Sequence, residues 1–194
     1  MLSSFLRPLL LIWSLTLCLG LGARDLSSPE EVVRSFYASY LENLGNPSLR
    51  SKPALSFSKE FQDAIEENHR VCEEFATGVC GFGADGDIYL DSQEYENGLT
   101  LANSGLRISA SVDGLVTVRL NVYPSIKAPD GYYEKVVSLK LIVENGKWVV
   151  DDLSYADGVS WKVRMDQEND FYRKTPDLDS TFMKKQAAAE KRSN

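Results

Sequence analysis

The chain has 194 residues but only one histidine, three cysteines and three methionines, and that poverty removes whole classes of chemistry. A Ser-His triad would have to run through His69, and no serine is marked as its partner. No G-x-S-x-G, H-E-x-x-H, Walker loop or dinucleotide fingerprint occurs anywhere. After residue 23 no apolar run is long enough to span a membrane. Basic residues are also in deficit, 21 against 28 acidic ones. A phosphate backbone is repelled by such a surface, so nucleic acid is excluded as a partner. No internal repeat or low-complexity domain appears.

What is present begins with an export signal. Arg7 precedes the apolar run "LLLIWSLTLCLGLG", which has signal-peptide length and lacks the flanks of a spanning helix. Residues 1–23 read as a signal peptide cleaved near Gly22/Ala23, which makes the protein periplasmic or secreted. Cys18 raises lipid anchoring as an alternative. The lipobox has a small residue before its cysteine, and Leu17 stands there, which favours the soluble form. Cleavage removes Arg7 and leaves 20 basic residues against 28 acidic ones, a net charge near −8.

Cys72 and Cys80 survive cleavage in an oxidising compartment and read as a disulfide. On one continuous helix eight steps would separate them by about 12 Å, beyond the roughly 7 Å that a bridge tolerates. The helix must break between them, and Gly78 is the expected place. Two cysteines with His69 are too few for a structural zinc site, so no metal and no cofactor are expected.

Helical spacing of Val32, Val33, Phe36, Tyr37, Tyr40, Leu41 and Leu44 predicts a first helix. Ser28 caps it, Pro29 takes its first position, Glu31 closes a capping box, and Gly45 with Pro47 ends it. A second helix is predicted from Ser58 to Ala76, with Phe61, Ala64, Ile65, Cys72 and Phe75 inward and His69 solvent-facing. The period then changes to two. "LRISASV" and "LVTVRLNVY" form a hairpin through Asp113-Gly114, and "YYEKVVSLKLIVE" and "KWVVDDLSY" another through Asn145-Gly146. A last helix begins near Ser160, with Val159, Val163 and Trp161 inward. Residues 28–173 thus read as a single α+β domain, a curved antiparallel sheet packed against N-terminal helices, and 174–194 as a polar tail.

Two acidic features are candidate sites. "ADGDIYLDSQEYENG" matches several EF-hand ligand positions, but Tyr89 and Leu90 stand where that loop needs an oxygen ligand and a glycine. What remains is an extended segment carrying Asp87, Asp91, Gln93 and Glu94, placed to line a pocket mouth. The second feature is Asp151-Asp152, where strict alternation sends one carboxylate to each sheet face. The inward one needs a partner, either a helix terminus or Arg119, or else lines a cavity. Tyr155 and Trp161 complete this set.

Taken together, "SPEEVVRSFYASYL", "DGDIYLDSQEY" and "GKWVVDDLSYADGVSW" resemble the bacterial exported family called domain of unknown function 3828. That family resembles the nuclear-transport-factor-two-like (cystatin-like) superfamily. The resemblance implies a conical sheet whose mouth is closed by helices, with a pocket inside. It implies no established catalytic residue. The expected function is that of a non-enzymatic exported binding or interaction protein of the bacterial cell envelope, monomer or homodimer, with a protein or small-molecule ligand of basic character. A small pocket hydrolase or isomerase using an Asp, or an immunity protein against a secreted toxin, are the alternatives.

Overall fold

The computed structural model describes residues 27–44 and 54–175, except 77, 112, 128 and 130. The signal segment 1–23, the Gly45/Pro47 helix stop and nearly all of the polar tail lie outside the described residues.

The protein is α+β, with three helices and a four-stranded open antiparallel sheet. Helix α1 (Pro29–Leu44) starts in the predicted capping box. The Ser28 amide donates to Glu31 Oε2 at 2.9 Å and the Glu31 amide to Ser28 Oγ at 3.2 Å. Its inner stripe of Val33, Phe36, Tyr37, Tyr40 and Leu41 is buried. Helix α2 (Lys59–Phe75) is capped by Ser58, whose hydroxyl accepts the Phe61 amide at 3.0 Å. It ends at Phe75 with extended Ala76 as its cap, earlier than the expected break at Gly78. Cys72 and Cys80 then sit at disulfide distance, Cα atoms 5.7 Å apart.

Strands β1 (Arg107–Ala110), β2 (Leu115–Asn121), β3 (Glu134–Glu144) and β4 (Lys147–Ser154) pair in chain order. Asn145 and Gly146 both have positive φ, 50° and 72°, the tight turn that such a pair predicts. Val116, Val118, Leu120, Val137, Leu139, Leu141, Val150 and Leu153 of the sheet make one core with the α1 stripe and with Phe61, Leu90, Leu99 and Met165; α1 packs on β1 and β2, and α2 and α3 pack on β4. The free edge of β4 is partly covered: the Ser58 amide bonds Val150 O and the Val150 amide bonds Ser56 O, both at 2.8 Å.

Strand β4 departs from strict alternation. Lys140 faces Asp152 while Leu141 faces Val150, so Asp151 is the extra residue of a β-bulge. Val150 and Leu153 are therefore both core residues, and neither carboxylate points into the core. The expectation of one Asp per face is corrected by this insertion.

Helix α3 (Trp161–Lys174) begins at Ser160 as expected, but its inward stripe is different. Met165 and Asn169 are buried and Trp161 packs against the core, whereas Val159 and Val163 are exposed. Packing against α2 decides the face. The buried Asn68 of α2 donates to Glu168 Oε2 at 2.8 Å and to Asn169 Oδ1 at 3.0 Å. A polar contact thus outranks Val163 and the preceding Val159 on a helix half of whose residues are charged.

Candidate functional site

The acidic stretch is a tight turn and not the extended segment expected. The Asp87 amide meets Ser92 O at 2.9 Å, and the Leu90 amide meets Asp87 O at 3.2 Å. Asp87 Oδ1 accepts the Tyr89 and Leu90 amides at 2.9 and 3.2 Å, the self-bonding that makes aspartate a turn former. Its other oxygen takes the Tyr40 hydroxyl from α1. Burial and the Asp87 carboxylate together hold the Tyr40 hydroxyl far above its usual pKa. Leu90 is fully buried, and the Tyr89 ring lies tilted against Phe36 with centroids 4.6 Å apart, while the Tyr89 carbonyl accepts the Tyr37 hydroxyl at 2.8 Å. The two residues that break the EF-hand pattern are thus the ones that anchor the turn to the core.

This turn separates two hollows. One, about 380 Å³, is lined by Tyr40, Phe82, Gly83, Asp87, Ile88 and Tyr89. The other, about 130 Å³, lies between Asp85, Asp87, Asp91, Gln93, Tyr155 and Trp161. Beyond Trp161 a third hollow of about 300 Å³ runs past Arg164 and Glu168 to Cys80. The segment from Cys80 to Gly83, tied down by Cys72 and by Asn68 Oδ1 on the Phe82 amide at 2.7 Å, contributes a wall to all three.

Asp91 is the distinctive group. It is half-buried at positive φ, 49°, and no hydrogen bond or ion pair from the described residues reaches its carboxylate. Burial raises its pKa above the ordinary carboxylate value, Asp157 adds to the rise, and Lys135 and Arg164 oppose it. Burial also pushes the Tyr155 hydroxyl up to about 12, with the nearby Trp161 indole working in the other direction. The Trp161 indole nitrogen is itself buried without a well-formed hydrogen bond. Arg164 lies 6.0 Å from the centroids of both the Tyr155 and Trp161 rings, so these rings already face one cation.

Of the expected site residues, Asp87, Asp91, Gln93, Tyr155 and Trp161 meet around the smaller hollow. Glu94 is exposed and does not line it. Asp151 and Asp152 lie elsewhere, in a separate hollow of about 260 Å³ with Ser138, Lys140, Ser154 and Ser160. Both are occupied with structure. Asp151 accepts the Ser58 hydroxyl at 2.8 Å and Lys162 Nζ at 3.1 Å. Asp152 accepts the Ser160 hydroxyl and the Lys162 amide at the start of α3, while Arg119 pairs with Glu134 instead. Two carboxylates thus complement the N-termini of α2 and α3.

Burial raises the Asp151 pKa, but the Ser58 bond, the Lys162 bond and the Lys162 charge outweigh it, so the net shift is downward. A lowered carboxylate stabilises the fold above its unfolded pKa and loses that contribution as pH falls through its folded one. Asp151→Ala is expected to cost about 2 kcal/mol at pH 7, from two lost bonds to a charged group. The difference from wild type in urea melts should shrink on acidification below the ordinary Asp value.

Tyr40, Phe82 and Arg164 were not legible as site residues. Tyr40 belongs to an aromatic stripe that reads as pure core, and Phe82 carries no motif. Arg164 had a usable signal, since it stands three residues from Trp161 on one helix. No helix among the described residues is long and apolar enough to cross a membrane. No protein-family model, curated protein or solved structure matches the chain.

Proposed function

We propose that the protein is an exported, non-enzymatic binding protein whose cleft beside Asp91 receives a basic group, a Lys or Arg side chain of a partner or a small organic cation. The observation that carries this is the half-buried, unpaired Asp91 carboxylate in a hollow walled by Tyr155 and Trp161. The unpaired carboxylate suits a cation, which shares the Tyr155 and Trp161 rings with Arg164. A volume of about 130 Å³ is below the range of drug-sized pockets and suits one side-chain head. The excess of acidic residues favours approach of a basic partner.

Export rests on the signal-like residues 1–23 and on the cysteine pair at disulfide distance, which suits an extracellular location. The cone fold and the membership implied by the motif resemblance belong to the same reading. The bulge in β4 supports the cone, because an extra residue bends a strand and increases its twist.

Calorimetric titration with N-acetyl-lysine amide and N-acetyl-arginine amide, against N-acetyl-norleucine amide, tests the reading. A cation favours ionised Asp91, so affinity should fall as pH drops through its raised pKa. Asp91→Asn should weaken binding at least tenfold at pH 7 and abolish that pH dependence. Binding of neither probe, or equal binding of the norleucine analogue, contradicts it. Asp91 also carries the second reading, a hydrolase or isomerase with Asp91 as the acid. That reading requires turnover that vanishes in Asp91→Asn.

A further inference from the structure

We infer that Cys72, Cys80 and Glu168, joined by His69, form a zinc-type metal site when the cysteine pair is reduced. Two cysteines and one histidine are too few ligands when read along the chain. Folding brings the missing one from α3: one donor atom each of Cys72, Cys80 and Glu168 lies within 4.8 Å of the others, and none of the three residues is exposed.

Glu168 is oriented by one short hydrogen bond that leaves its other carboxylate oxygen nearly free. Its Oε2 takes the Asn68 amide nitrogen at 2.8 Å, while Oε1 has only the Gly81 amide at 3.5 Å, the far limit of a hydrogen bond. An outer hydrogen bond of this kind orients a ligand and leaves the other oxygen for metal. His69 stands three residues before Cys72 on α2, the spacing that brings two side chains onto one helix face. Both border Gly81. A Cβ there would meet His69 Cδ2 at 2.9 Å and Cys72 Sγ at 3.4 Å.

Two thiolates, an imidazole and a carboxylate are a tetrahedral zinc donor set, with donors about 3.3–3.8 Å apart at normal bond lengths. For Cys72, Cys80 and Glu168, reaching that geometry from 4.8 Å asks for displacements on the order of an ångström; His69, whose Nε2 lies 3.2 Å from Phe82 O, must leave that carbonyl to join them. The chemistry balances with a dithiol as reductant. The dithiol supplies two electrons and two protons and closes to its own disulfide, and the Cys72–Cys80 bond opens to two thiols. Metal binding then displaces both thiol protons to solvent. The oxidised protein has no thiolates and no such site, so the pair works as a redox gate on metal binding.

Cobalt(II) titration of the reduced full chain, read by absorbance, tests the inference. The expected result is one ion per chain with an intense thiolate-to-cobalt band, displaced by zinc, absent from the oxidised protein and weakened at least tenfold in Glu168→Gln. His69→Asn should weaken it as well. Glu168→Gln keeps both cysteines and can be checked for folding in its oxidised form. Absence of the band, unchanged affinity in Glu168→Gln and His69→Asn, or loss of helical signal on reduction that zinc does not restore would each overturn it.

Discussion

Asn68→Ala is expected to destabilise the protein by about 3 kcal/mol in urea titration, a large share of the 5–15 kcal/mol that holds a domain folded. Asn68 is fully buried in the middle of α2. Its Oδ1 accepts the Phe82 amide at 2.7 Å and its Nδ2 donates to Glu168 Oε2 and Asn169 Oδ1 at 2.8 and 3.0 Å. Alanine removes all three bonds and leaves partners in a place water reaches poorly. Each unsatisfied buried group costs about 1–3 kcal/mol, more when charged. Aspartate is nearly isosteric but cannot donate and repels Glu168, so Asn68→Asp is expected to be at least as damaging. If both substitutions cost under about 1 kcal/mol, Asn68 is not the clamp between α2, α3 and the Cys80–Gly83 wall.

Gly86→Ala is expected to separate folding from function. A Cβ at Gly86 would lie 2.8 Å from Ser92 O, 3.0 Å from Ser92 C and 3.1 Å from Gln93 Cα, all of them backbone atoms that cannot rotate away. The backbone at φ 156° offers no relief, because the obstacle is the Ser92–Gln93 backbone across the turn. The Asp87–Ser92 bridge must open, and strain of this kind costs about 1–3 kcal/mol. The turn is solvent-flanked at Gly86 while Leu90 anchors it, so the core should survive. Asp91 moves with Ser92, and affinity for the basic probes should drop at least tenfold. Unchanged affinity with an unchanged melt would show that the close approach at Gly86 shapes nothing.

Local signals were legible where a residue acts on its own backbone. Ser28 and Glu31 announce their capping box because both partners lie within one turn of helix. Asn145-Gly146 announces its turn because it adopts left-handed φ at little cost. The acidic stretch misled because Asp87 to Asp91 reads as extended, whereas the Asp87 carboxylate accepts the Tyr89 and Leu90 amides and folds the segment back. The bulge at Asp151 left no mark at all. Whether a strand keeps or breaks alternation depends on the partner residue across from it, here the Lys140/Leu141 step. The α3 stripe was misjudged for the same reason, since Asn68 and Glu168 stand 100 residues apart and meet only in the fold.

The candidate site shows both limits. Asp87, Asp91 and Gln93 of the acidic stretch and Tyr155 and Trp161 of the closing segment meet at one hollow. Asp151 and Asp152 were named for their adjacency, yet the structure spends them on the N-termini of two helices. Adjacent carboxylates carry the same symbols whether they serve a ligand or a helix cap, and only their partners tell them apart.

The central claim, that the Asp91 cleft binds a basic group, is tested most directly by the indole N–H resonance of Trp161. Trp148 serves as an internal reference, since it lies on β4 and its own indole donates to Ser27 O at 2.7 Å. On titration with N-acetyl-arginine amide, the account predicts a saturable shift of the Trp161 signal, an unmoved Trp148 signal and loss of the shift in Asp91→Asn. A Trp161 signal that stays still, or moves equally with the norleucine analogue, would contradict it.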